Sequence, residues 1–583
     1  MLVHSLIRRS TMLHLPALAA VLFLTSGEFL TSSEPSVAPT RRPQDDPSLE
    51  ALMEEVKELM LRLPLRYHIR AYESLAKSRE PEAIGELARR YEKPDLPKDQ
   101  ERYLMASSLS TIGKKGKDGL VEALAAWRGE ANAAEDAWLW RHALEVEIQL
   151  AGPDGAVDIA RNAKSIALRG AAIEALAATS SEALYDLIPE LVQSPPKKEQ
   201  DQIALMGAYA TALTVMGNKK TQTETPWRRL ALTLVATFED EDVPRAAKLI
   251  LARHLAAELD ADSVVLEAAA WRTLLAKRAK EAKDRRKEGD KASPKAGEAK
   301  DEYVRPRFFG VEVTGERICY LLDLSDSMAA PIPPEWKPKG APESGPRVRK
   351  KRKKGDIPTE ADIPWYIVKT RFDVAREHLR VSLERLQPDQ KFCVIGFGST
   401  AEYLKGTKGM VKATSGNVKK VLKELDGIKI GAPQGERVHG TIWGDTNLHA
   451  GLKLAFATSK KGRVKGAGYV NPETFVSGAD TLFVLSDGDP SVDDYTVTDV
   501  DYGDGKIVTD NESGREGKDR TMQLNFIGPY VNWPLLLEDT RRMNMLRELE
   551  IHVISVGEAD EQALGMLADI GLGKLQIFGR SRD

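Results

Sequence analysis

The chain has 583 residues, of which 42% are hydrophobic and 29% charged, with a formal net charge of −3. This length suits about two to four domains of ordinary globular composition, and the near-neutral balance supplies no overall field that would draw the molecule to nucleic acid. The two cysteines, Cys319 and Cys393, exclude a disulfide-dense scaffold and any cysteine-based zinc centre.

Residues 1–27 read as a secretory signal peptide. Arg8 and Arg9 make a basic start, residues 12–25 form an apolar run containing Pro16, and Ser26 and Gly27 follow. That run is too short to cross a bilayer, so export to the periplasm, cell surface or extracellular space is expected. Membrane contact is expected only if the segment stays uncleaved as an anchor. The arginine pair is a weak pointer to twin-arginine export. Residues 28–48, rich in Pro, Ser and charge, read as a disordered tether.

From 49 to 280 apolar residues recur at helical spacing, with Ala and Leu dominant. Breaks fall at 79–81, 94–97, 152–155 and 195–196, leaving segments of ordinary helix length. Residues 166–177 and 182–192 pair as two helices across Ser180-Ser181, and 242–252 look like another first helix, with Asp242 as its N-cap. An early Arg in an Ala-rich helix, a short turn and a Leu-spaced second helix are similar to a HEAT repeat. The resemblance implies a solenoid with an extended face for protein contacts; an irregular helical bundle is the alternative. Trp127, Trp138, Trp140, Trp227 and Trp271 are expected in the core, and His142 and His254 as structural histidines. The sequence has no His-Glu-x-x-His pair, Walker loop or Gly-x-Ser-x-Gly elbow. Residues 281–304, almost all Lys, Arg, Glu, Asp, Ala and Gly, read as a solvated linker that extends the last helix before unravelling.

In 305–583 strands and helices alternate, which argues for a parallel sheet covered by helices on both faces. Strands are expected at 308–313, 317–322, 392–397, 401–404, 482–485, 551–556 and 574–578, with helices at 372–386, 418–425, 447–457, 535–549 and 561–568. Cys319 and Cys393 fall in core strands as buried free thiols. Two insertions interrupt the pattern, 329–365 with a basic run at 347–354, and 489–533, acidic at its start. With a signal peptide present, the basic run reads as a solvated loop. Asp499, Asp501 and Asp504 resemble a calcium loop but lack EF-hand spacing.

The apolar run Ile318–Leu322 ends in Asp323-x-Ser325-x-Ser327 followed by Met328. Later, Gly444-Asp445-Thr446-Asn447 leads into a helix, and Thr481-Leu-Phe-Val-Leu-Ser-Asp487-Gly488 ends another strand. In the strand order 3-2-1-4-5-6, the strands ending in Asp323 and Asp487 lie side by side at the switch point. Two carboxylates and three hydroxyls are hard oxygen donors, suited to Mg²⁺ or Mn²⁺. Together the three parts resemble the metal-ion-dependent adhesion site of von Willebrand factor A domains, and the likeness covers about the last half of the chain. It implies a doubly wound α/β domain after the helical repeats. It also implies a Mg²⁺ or Mn²⁺ site of Asp323, Ser325, Ser327, Thr446 and Asp487, with an open position filled by an exposed Asp or Glu of a protein partner. Asp326 departs from the glycine common at its place and adds negative charge beside the site. The expected function is an exported, non-enzymatic binding protein. Alternatives are an RNA-binding protein like the Ro ribonucleoproteins, which also join HEAT-like helices to an A domain, and a degenerate scaffold working through its helical repeats. Hydrolysis is disfavoured, since no base stands out beyond His449.

Overall fold

The structure is a computed structural model that describes residues 48–61, 65–92, 99–131, 136–217, 225–261, 263–288, 307–338, 359–430, 444–464, 471–488, 490–491, 533–557 and 559–579. The signal peptide and tether, most of the charged linker, the basic run and most of the acidic insertion lie outside these residues. Among the described residues, no helix is long and apolar enough to cross a membrane.

The first part is helical: α1 (Leu49–Met60), α2 (Leu65–Ser78), α3 (Pro81–Glu92), α4 (Asp99–Ser108), α5 (Leu120–Glu130), α6 (Ala137–Ala151), α7 (Asp154–Asn162), α8 (Ile166–Ala178), α9 (Leu184–Val192), α10 (Glu199–Met216), α11 (Thr225–Ala236), α12 (Arg245–Glu258) and α13 (Ala268–Glu288). Its ends follow local chemistry. Ser48 caps α1 by accepting from the Ala51 amide at 3.3 Å, Arg79 turns the chain with φ 60° after α2, and Pro81 opens α3. Helices α2, α4, α6, α8, α10 and α12 pack in succession, while α3 meets α5, and α9 and α13 both meet α11. The Ala-rich α8 is buried almost all round, as a helix without a polar face must be. Trp127, Trp138, Trp227 and Trp271 are core residues. Helix α13 runs on to Glu288, so the first residues of the charged stretch continue the helix.

The second part opens with a hairpin of β1 (Arg307–Phe308) and β2 (Val311–Glu312), separate from the main sheet. Then come β3 (Arg317–Asp323), α14 (Arg371–Arg385), β4 (Lys391–Phe397), β5 (Ala401–Tyr403), β6 (Val411–Lys412), α15 (Ser415–Gly427) and α16 (Leu448–Phe456). After them come the hairpin β7 (Thr458–Ser459) and β8 (Gly462–Arg463), α17 (Pro472–Ser477), β9 (Thr481–Ser486), α18 (Trp533–Asn544), β10 (Glu550–Val556), α19 (Glu561–Ile570) and β11 (Leu575–Phe578). The seven-stranded main sheet runs β11-β10-β9-β3-β4-β5, with β6 also on β4. Strands β11, β10, β9, β3 and β4 are parallel, and β5 and β6 antiparallel. Alternation along β3 builds two cores. Ile318, Tyr320 and Leu322 pack with α14 and α15, whereas Cys319 and Leu321 pack with α16, α18 and α19. Cys319 and Cys393 are register partners, both buried and both free.

The two parts share a core. Phe475, Met545 and Leu546 belong to the apolar cluster of the helical part. Leu546, in the turn between α18 and β10, fills space left by the absent side chain of Gly170 on α8, and its carbonyl lies against Gly207 on α10. Polar contacts ring this plug. Glu548 accepts from Thr211 at 2.7 Å and lies 3.0 Å from His254. Arg253 pairs with Glu550 at 3.0 Å and donates to the Asp480 carbonyl at 2.8 Å. These contacts lie at the starts of β9 and β10, so the helical part packs against the N-terminal ends of these strands, opposite the ends of β3 and β9 that carry Asp323 and Asp487.

Candidate metal centre

The site is assembled where β3 and β9 end. Register carries both strands to the same level, with Leu322 opposite Leu485, so Asp323 and Ser486 come next to each other. Ser486 donates to one Asp323 oxygen at 2.6 Å, and the Ser325 amide donates to the other at 2.8 Å. The turn after β3 lays the Ser325 hydroxyl 2.9 Å from that of Ser327, which donates to Asp487 at 2.7 Å. Four of the five expected donors thus form one hydrogen-bonded set. Asp323, Ser325 and Asp487 are buried, and Ser327 reaches the surface.

Thr446 stands beside this set on a separate loop. Asp326 donates its amide to the Gly444 carbonyl at 3.0 Å, joining the two loops. Asn447 caps α16 through Ala450 at 2.8 Å, and its own amide donates to Gly398 at 2.7 Å. The Thr446 amide donates to the Ser491 hydroxyl at 2.9 Å. Among the described residues, no hydrogen bond links the Thr446 hydroxyl to the other four donors.

The electrostatics favour a cation. Burial, with Asp487 adding to it, pushes the Asp323 carboxyl up to about 7. Its two hydrogen-bond donors, Ser325 and Ser486, are neutral, so ionisation leaves buried negative charge that a hard divalent ion would offset. Among the described residues Asp487 pairs with one cation, Arg371, whose Nη1 donates to its second oxygen at 2.8 Å. The donor set of carboxylates and hydroxyls therefore fits Mg²⁺ or Mn²⁺. Among the described residues, no group of three or more His, Cys, Asp or Glu converges as a metal cluster; this site counts only two such residues beside its hydroxyls.

His449 is not part of the set. It is the second residue of α16, fully buried, with Nε2 at 2.7 Å from Asp539 on α18. Ser486 and Arg371 were missed from sequence. Ser486 carried one signal, a polar residue closing an otherwise apolar strand. Arg371 carried none, because a long insertion separates it from the Asp-x-Ser-x-Ser turn. Compared with known proteins, the chain matches no family model and no curated protein.

Proposed function

We propose that this is an exported, non-enzymatic binding protein. In this reading a domain of the von Willebrand factor A type holds Mg²⁺ or Mn²⁺ through Asp323, Ser325, Ser327, Thr446 and Asp487, and the helical part is a HEAT-like solenoid. The observation that carries it is the hydrogen-bonded set of Asp323, Ser325, Ser327 and Asp487, two buried carboxylates and two hydroxyls converging where β3 and β9 end. A bound cation supplies an electrophilic open position for an acidic side chain of a partner protein. The chain's own residues orient the donors. Ser486 and the Ser325 amide fix the Asp323 carboxylate, and Ser327 and Arg371 fix that of Asp487. The mouth opens at Ser327 and Asp326, both exposed, as docking of a macromolecule requires. His449 is held by Asp539 and is not among the donors.

Calorimetric titration of Mg²⁺ and Mn²⁺ into EDTA-stripped protein tests this reading, beside Asp323→Ala and Asp487→Ala. Saturable binding in the parent, lost in both variants, is the expected result. Binding that survives both substitutions sinks the assignment.

A further inference from the structure

We propose that Arg371 is a second anchor for the partner's carboxylate, which binds between the cation and this guanidinium. The inference rests on the metal reading above and adds a residue outside the five donors.

Three observations support it. First, Arg371 is brought back to the site by backbone bonds that do not depend on the insertion between them. Its amide donates to the Ala330 carbonyl at 3.0 Å, Ile332 donates to Lys369 at 3.0 Å, and Pro331 bridges Thr370. These stitch the start of α14 directly to the turn that carries Ser325 and Ser327. Second, the fold makes room for the guanidinium. It lies over Gly557, just after β10, where a Cβ would come within 3.2 Å of its carbon, and where φ is +116°. A side chain at 557 would crowd the group and strain the backbone. Third, the guanidinium is only partly used. Nη1 donates to Asp487, while Nη2 makes no hydrogen bond among the described residues and the side chain is 26% exposed.

The arrangement answers a problem of charge. An acid approaching this mouth meets Asp323, Asp487 and the exposed Asp326, which repel it. A divalent ion reverses the sign only at its own position. A guanidinium held on Asp487, whose Nη2 makes no hydrogen bond among the described residues, offers the second carboxylate oxygen a charge-assisted hydrogen bond. The planar fork suits a carboxylate in a way a lysine ammonium does not. The partner class is therefore an acidic side chain rather than a neutral carbonyl or hydroxyl ligand, which would gain less from the second point.

The competing role for Arg371 is purely structural, holding Asp487 in place. The two roles separate once the ion is bound. Releasing Asp487 weakens uptake of the ion, whereas losing the anchor weakens the carboxylate even on protein already saturated with Mn²⁺. The experiment titrates Mn²⁺ into EDTA-stripped full-length protein, read by water-proton relaxation, and then titrates sodium acetate into the Mn²⁺-loaded protein, read as displacement of bound water. Read on protein saturated with Mn²⁺, whatever the variant's own affinity for the ion, Arg371→Met is expected to need about tenfold more acetate, the scale of one charge-assisted hydrogen bond. Arg371→Lys, which keeps a cation beside Asp487, is expected at saturating Mn²⁺ to lose acetate affinity by several-fold.

Parental acetate affinity in Mn²⁺-saturated Arg371→Met overturns the anchor. Full acetate affinity in Arg371→Lys overturns the fork geometry. Mn²⁺ uptake by the parent with no response to acetate overturns the carboxylate reading and the anchor with it. No Mn²⁺ uptake by the parent instead overturns the metal reading itself, so the two failures are told apart.

Discussion

Ser486 is the residue on which Asp323 most depends. Its hydroxyl holds one carboxylate oxygen at 2.6 Å, leaving the other to the Ser325 amide. Groups that orient a metal ligand from behind typically govern about 10- to 100-fold in affinity. Ser486→Ala is therefore expected to weaken Mg²⁺ binding about tenfold in calorimetry while leaving the fold intact by circular dichroism; undiminished affinity would remove Ser486 from the site. The sequence reveals Asp323, Ser325, Ser327 and Asp487 because their residue types and spacing are themselves the signal. It does not reveal Ser486, whose role depends on the register of β9 against β3. It does not reveal Arg371 either, since the backbone bonds at 330–332 and 369–371 that return it to the site leave no trace in spacing.

At the scale of elements, α16 and α18 are joined through a charge cluster in which His449 and Asp539 are fully buried and Arg542 mostly so. Asp539 lies 2.7 Å from His449 and 2.6 Å from Arg542, and the Arg542 guanidinium sits 4.9 Å from the ring of Tyr103 in the helical part. Burial would raise the Asp539 carboxyl, yet Arg542 and His449 together hold it well below the usual carboxylate range. Removing one member leaves the others buried without compensation, a loss of about 3–5 kcal/mol. Asp539→Ala should show that loss in urea denaturation, and a change below about 1 kcal/mol would mean the cluster is not coupled to folding. The long elements were legible because each carries its own periodicity: α14 and α15 at helical spacing, β3 and β9 as apolar runs. The short ones were not. The hairpin β7–β8 has two-residue strands, too short to show a period, and α17 has only six residues, in which Phe475 and Val476 are too few apolar positions to show a helical repeat.

At the scale of the whole molecule, the sequence reads as two domains on a charged linker, and the structure joins them through Leu546 and its polar rim. The hidden signal was Gly170 and Gly207, helical glycines whose missing side chains make the socket. The full chain should therefore unfold in one transition. A fragment of 305–583 alone, with Leu546 and Phe475 uncovered, should melt well below it or aggregate. In the full chain Leu546→Ala should cost about 2–5 kcal/mol. Two resolved transitions in calorimetry would contradict a shared core.

The same interface sets a pH dependence whose sign can be worked out. Burial pushes the Glu174 carboxyl on α8 up to about 8; Arg141 opposes the rise, and Glu548 and Glu145 add to it. Between its ordinary value of 4.5 and about 8, the folded chain keeps a proton that the unfolded chain has released, so this group lowers stability as pH rises through that window. Glu550 works the other way. Burial would raise its carboxyl, but Arg253 and His552 hold it at about 2. Its contribution is fully present above 4.5 and is lost as pH falls towards 2. Glu174→Gln replaces the protonated acid by a neutral isostere and isolates the first effect. The melting temperature of the variant minus that of the parent should climb from about pH 5 to 8 and level off above. A difference that stays flat across that range would show that Glu174 ionises without cost, and that the interface between the two parts is wetter than its burial implies.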